Sequence, residues 1–246
     1  MSKSRIIRLV LIFVVAGVAY WQRGRVTDPG GDSQKPTAVL KEEPLGSKNS
    51  KSPTATLKKS PLGNIREGVE KIRGYDKITG ARLLKRDDND GDSFFVNAVG
   101  REFQLRLYFV DAPEKYLSDR YEKQLQRVAE QAREMGGISS EQAVEVGKAA
   151  KMFVGRELSG KPFTIYTYWE QVYDGDRYYG FVELPDGSYL GTRLVEQGLV
   201  RIHTKGPGSK EKPVPTPDGK SFHQHRDKLY DLERKAQRND AGAWGL

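Results

Sequence analysis

The chain has 246 residues, of which 37% are hydrophobic and none is cysteine, and it carries a formal charge of +8. The missing cysteines exclude structural disulfides, thiolate metal sites and thiol nucleophiles. Residues 1–66 hold 12 of the 41 Lys and Arg but only 4 of the 33 Asp and Glu, so the excess sits there and residues 67–246 balance to zero; a uniformly basic surface is excluded for the C-terminal part, where any phosphate-binding role must rest on local geometry.

At the N-terminus, Lys3, Arg5 and Arg8 precede an apolar run from Leu9 to Trp21. As a helix this run spans about 20 Å, short of a hydrocarbon core of about 30 Å. Adding Ile6 and Ile7 and letting Arg8 snorkel makes a span feasible. Residues 1–23 therefore read as a signal peptide, cut after Gly17-Val18-Ala19, or as an uncleaved membrane anchor with Tyr20 and Trp21 at the interface. Either reading puts the rest of the chain outside the cytoplasm. Residues 24–66, rich in Pro, Gly, Ser, Thr and Lys, bury too little apolar surface to offset the entropy of ordering, and read as a flexible basic linker.

The folded domain is expected over residues 67–246. Strands are expected at Ile78–Leu84, Ser93–Val99 and Glu102–Val110, with turns at Asn89-Asp90-Gly91 and Val99-Gly100. A charged helix over Asp119–Met135 ends at Gly136-Gly137. Ser139 and Gln142 match a capping box, opening a second helix whose apolar face is Ala143, Val146, Ala150 and Phe153. Strands at Phe163–Trp169 and Tyr178–Leu184, a helix at Thr192–Gln197, a strand at Leu199–His203, a Pro/Gly loop and a helix at Arg226–Arg238 follow. This order implies an α+β fold around a small closed or partly closed sheet.

Four local patterns bear chemistry. Asp90-Gly91-Asp92-Ser93 spaces carboxylates as a hard cation prefers, although the same residues also make an ordinary polar turn. An EF-hand frame fails, because it puts Arg86 and Asn97 at ligand positions. RLYFVDAPE (Arg106–Glu114) places an arginine inside an apolar strand, where a charge needs a partner. Strict alternation puts Asp111 on the opposite face from Arg106, but Pro113 cannot continue a ladder. The chain is therefore expected to leave the sheet around Asp111–Glu114, carrying both acids over the strand end. Arg177 opens a later strand in the same manner. His223 and His225 read as solvated loop histidines rather than a metal pair.

DGDS, RLYFVDAPE, DR-x5-ELPDG, LVEQGLVRIH and LERKAQRNDAGAWG occur in that order over Asp90–Leu246, interrupted around 115–138. Together they resemble the staphylococcal nuclease (thermonuclease-like) family. The resemblance implies a five-stranded OB-fold β-barrel with packed helices and Ca²⁺-dependent hydrolysis of phosphodiester bonds in DNA or RNA by a monomer. It implies Asp92, Asp111 and the Ala112 carbonyl as Ca²⁺ ligands, with Asp90 in the outer shell. Glu114 would activate water, and Arg106 and Arg177 would hold the phosphate. Threonine is common in the family at position 112, but the ligand there is the carbonyl. The family's stacking tyrosines are replaced by His203-Thr204-Lys205, leaving Tyr173, Tyr178 or Tyr179 as substitutes. Anchoring on Pro185-Asp186-Gly187 assigns Arg177 to the catalytic position; anchoring on Tyr179-Gly180 assigns Phe181. The alternative is a catalytically silent OB-fold module binding nucleic acid or protein. A third reading makes the basic linker the functional part, attracting polyanions or anionic lipid.

Overall fold

The computed structural model describes residues 68–246, apart from positions 119, 120, 174 and 204. The expected hydrophobic segment 1–23 and the linker 24–66 lie outside the described residues. Among the described residues no helix is long and apolar enough to cross a membrane.

The fold is α+β. Strands β1 (Val69–Ile72) and β2 (Tyr75–Leu83) form a hairpin through Arg73 and Gly74, both at positive φ (49° and 87°). A second tight turn, Val99-Gly100 with φ 48° and 74°, joins β3 (Ser93–Ala98) to β4 (Arg101–Leu107). Two consecutive positive-φ residues match the right-handed twist of the flanking strands, which is why both turns are so short. Strand β2 pairs at its end with β3, and along Asp76–Ile78 and at Ala81 with β6 (Phe163–Thr167). The register shifts between Ile78 and Ala81, at Gly80 with φ 74°, so the strand bends between its two partners. Strand β7 (Arg177–Glu183) pairs antiparallel with β6 and parallel with β4, aligning Gln104 with Arg177 and Arg106 with Tyr179.

The expected strand Glu102–Val110 is not continuous. Strand β4 ends at Leu107, Phe109 adopts φ 68°, and Val110–Asp111 form a short β5 paired with β8 (Arg201–Ile202). The chain thus leaves the first sheet at Phe109, four residues before Pro113. The Phe109 N–H donates to the Lys205 carbonyl at 2.8 Å, and its own carbonyl accepts from His203 at 2.7 Å. Its ring packs against Phe222 and His225. A bulky residue rarely takes a left-handed conformation, and here its surroundings hold it there from both sides.

Helix α1 (Glu122–Glu134) precedes α2 (Ser140–Leu158), whose Ser139–Gln142 capping box forms as expected. All four residues of the predicted apolar face of α2 are buried. Helices α3 (Leu190–Glu196) and α4 (Phe222–Arg238) pack together, and a 3₁₀ turn (Gly242–Gly245) closes the chain. Helix α4 starts four residues earlier than expected, because Ser221 and Gln224 form a second capping box. The expectation of two solvated loop histidines is corrected by this: both lie on α4, with His223 exposed and His225 buried against Phe109 and Phe181.

Helix α2 positions two loops through its smallest residues. A Cβ built on Gly147 would lie 2.4 Å from the Pro113 carbonyl oxygen and 2.7 Å from that of Glu114. One built on Gly91 would lie 2.4 Å from the Ala150 Cβ and 3.1 Å from that of Ala112. The turn before β3 and the loop after β5 therefore rest on one helix at backbone distance. Gly147→Ala is expected to force that loop outward and destabilise the domain by about 1–3 kcal/mol. A thermal melt checks it, with a fall in Tm of roughly 2–10 °C for a domain of this size.

Candidate active site

The residues singled out in the sequence lie on β3, β4 and β7 and beside their ends, where β5 and the turn before β3 meet. Asn89 builds that turn: its side-chain amide donates to the Leu84 carbonyl at 2.7 Å and its oxygen accepts from the Phe95 N–H at 2.9 Å. Asp92 follows, and its Oδ2 accepts from the Ala112 N–H at 2.8 Å, tying the two loops together. The left-handed backbone at Phe109 resolves the parity conflict of Asp111. It turns the chain so that Asp111 and Arg106, on opposite faces of an ideal strand, meet.

Arg106 is the hub. Its Nη2 lies 3.0 Å from Asp92 Oδ2 and 2.5 Å from Asp111 Oδ1. Both carboxylates are buried, at 3% and 2% exposure. Asp111 is also bonded at Oδ2 by Gln131 Nε2 at 3.0 Å and Arg201 Nε at 2.9 Å, and Arg127 lies 3.5 Å from its Oδ1. These partners split the two acids electrostatically. Burial works against the Asp111 charge, but the Gln131 hydrogen bond and the charges of Arg106, Arg201 and Arg127 hold its pKa below the usual carboxylate range. Asp92 is pushed up to about 6 by burial, with the Asp111 charge adding to the shift and Arg106 opposing it. Burial also works against the charge of Arg106, yet Asp92 and Asp111 raise its pKa overall.

The other predicted residues stand around this pair. Glu114 Oε1 lies 3.2 Å from Arg127 Nη1, so one guanidinium links it to Asp111. Asp90 is paired with Lys115 at 3.0 Å. The Ala112 carbonyl accepts from Gln131 at 3.1 Å. Arg177 shares the outward face of the sheet with Arg106 and Tyr179, the intervening residues being buried. Burial, and then the charge of Arg106, lower its pKa. Its buried Nε has no hydrogen-bond partner among the described residues. Phe181, the other candidate for that position, is buried against Tyr108, Phe109 and His225. Of the three tyrosines named as stacking substitutes, Tyr178 is in the core beside Phe103 and Trp169, Tyr179 is half-buried and stacked on Tyr108, and Tyr173 is 89% exposed.

Among the described residues no group of three or more His, Asp or Glu side chains is arranged to hold a metal ion. Two carboxylates do converge on one cationic nitrogen. An all-oxygen donor set of two acids and a backbone carbonyl fits a hard divalent cation that completes its shell with water. The carbonyl oxygen has two lone pairs, so its bond from Gln131 leaves one in hand.

Sequence reasoning missed Arg127, Gln131, Arg201 and Lys115. Arg201 carried the same signal as Arg106, a charge inside the apolar run Leu199–Ile202. Arg127 and Gln131 gave no comparable signal in a helix that is charged throughout.

The raised pKa of Asp92 sets a pH dependence. Its charge costs stability that is lost progressively as pH rises from about 4 to about 6, so Asp92→Asn should stabilise the metal-free protein at pH 7. A gain of about 1–3 kcal/mol is expected, vanishing below pH ~4, where Asp92 is protonated in folded and unfolded chains alike. Denaturant melts of both proteins across this range measure it.

The chain matches no protein-family model, and a search of curated proteins finds no match.

Proposed function

We propose that the domain is a divalent-cation-dependent phosphodiesterase that hydrolyses DNA or RNA, with Ca²⁺ as its cation. The observation that carries this reading is the convergence of Asp92 and Asp111 on Arg106 Nη2, with Arg177 on the same face and Glu114 one guanidinium away. We read the sheet as a five-stranded OB-type barrel; the pairing of β2 with both β3 and β6, and of β4 with β7, supports closure. The basic and apolar residues 3–21, outside the described residues, support an exported or membrane-anchored protein.

Phosphodiester hydrolysis needs an activated water and positive charge where the phosphate oxygens gain negative charge. When bound, the divalent cation supplies part of that charge, held by Asp92, Asp111 and the Ala112 carbonyl with Asp90 further out. Arg106 contacts both acids through Nη2, so its remaining N–H donors are directed to a non-bridging oxygen. Arg177 provides a second planar fork for the phosphate and a hydrogen bond to the departing oxygen. Glu114 accepts the proton of the attacking water as the new P–O bond forms and the bond to the leaving sugar oxygen breaks, and that oxygen, hydrogen-bonded by Arg177, takes a proton from solvent to leave as the alcohol.

A second reading, a catalytically silent binding module, draws on one observation. Asp90, Asp111 and Glu114 each have a cationic partner within the chain, as in a purely structural ion-pair cluster. Plasmid degradation by the full chain separates the two. Cleavage with Ca²⁺ that stops on adding chelator is expected, with Glu114→Gln and Arg106→Ala each at least about 100-fold slower. Wild-type cleavage rates in both variants would refute the mechanism, and no cleavage by the unaltered chain would leave the binding module.

A further inference from the structure

Helix α1 falls in the segment that interrupts the motif order, yet its polar face lies on the site. Arg127, Gln131 and Glu134, at helical spacings of four and three, point the same way. Arg127 reaches Glu114 and Asp111, and Glu134 binds Arg201 at 2.8 Å while Arg201 holds Asp111. Gln131 is fully buried, and its amide serves a single loop. Nε2 donates to Asp111 Oδ2 and to the Ala112 carbonyl, and Oε1 accepts from the Glu114 N–H at 3.2 Å. On its other side α1 is fixed by a small apolar cluster of its own, Val128 and Ala132 against Ala143 and Val144 of α2, separate from the main core.

A helix that only covered this edge would bury an apolar residue at position 131. A buried amide is costly unless each of its groups is paired, and here every pairing goes to the loop bearing the proposed ligands and the proposed base. Gln131 and Arg201 together occupy Asp111 Oδ2, which leaves Oδ1 to the Arg106 Nη2 that Asp92 also contacts. Orientation of a ligating carboxylate by such outer partners typically changes metal affinity by about 10–100-fold.

We propose that α1 is part of the working site: Gln131 is a positioning residue that orients Asp111 and the Ala112 carbonyl toward the cation, and Arg127 is a third arginine for the substrate phosphate. This rests on the phosphodiesterase reading. The two roles separate by sign. Gln131→Leu removes the orienting bonds and weakens Ca²⁺ binding about 10-fold or more, and saturating Ca²⁺ restores most of kcat. Arg127→Ala removes a positive charge beside Asp111 and Glu114, so Ca²⁺ binding is unchanged or tighter. KM for DNA rises about 10-fold, and Arg127→Lys recovers part of that loss.

Calorimetric titration of the full chain with Ca²⁺, together with steady-state cleavage of DNA, reads both effects. Wild-type Ca²⁺ affinity in a folded Gln131→Leu protein overturns the positioning role. A wild-type KM in Arg127→Ala overturns the phosphate role, and that side chain is 46% exposed, so its removal does not disturb the core. If the unaltered chain cleaves DNA while both variants match it, only the inference about α1 falls. If the unaltered chain neither binds Ca²⁺ nor cleaves, the phosphodiesterase reading falls and takes this one with it.

Discussion

Two carboxylates buried side by side repel each other, and the Arg106 guanidinium is what lets Asp92 and Asp111 share one place. Both acids are buried, so each depends on the charges and donors the fold brings. Asp111 receives four such partners and is held ionised; Asp92 receives fewer and its charge is strained. The asymmetry follows from position. Asp111 lies where β5, β8 and α1 meet, whereas Asp92 sits at the mouth of β3 with Arg106 and the Ala112 N–H. A buried acid that shares its guanidinium partner with a second acid suits added cationic charge, which is the physical basis of the proposed cation dependence.

The backbone makes this meeting possible. An unbroken strand through Val110 would have sent Asp111 to the opposite face from Arg106; the left-handed Phe109 prevents that. Its conformation is held by hydrogen bonds to Lys205 and His203 and by rings from α4, so the geometry of the acids depends on segments far along the chain. Glycine at 91 and 147 then lets the two acid-bearing loops rest on α2 at distances no side chain would permit. Small residues and one strained aromatic thus do structural work that no charged residue announces.

Around this frame α1 adds a layer. It meets α2 through an apolar cluster of its own and turns its polar face onto the loop 111–114. In doing so it converts a loop end into an enclosed edge, with Gln131 inside and Arg127 at the rim. Asp92 and Asp111 meet on Arg106, whereas α1 acts through the separate contacts of Gln131 and Arg127, so single substitutions in α1 leave the central ion pairs in place.

The sequence by itself determined a good deal. Alternation and turn residues located β3, β4, β6 and β7 to within a residue or two at most ends, because two-residue turns and half-buried strands are local patterns. The Ser139–Gln142 box announced the start of α2, while the same signature at Ser221–Gln224 went unread and left α4 four residues short. Arg106 stood out because a charge inside an apolar run must be paired. Arg201 carried the same signal, but its partners lie 90 and 67 residues away in sequence, at Asp111 and Glu134. The break at Phe109, the burial of His225, the common face of Arg106 and Arg177, and the clip made by Gln131 were decided only by the tertiary structure. Each is a contact between segments far apart in the chain, and an amide or a backbone angle acquires its meaning from what packs against it rather than from its neighbours in sequence.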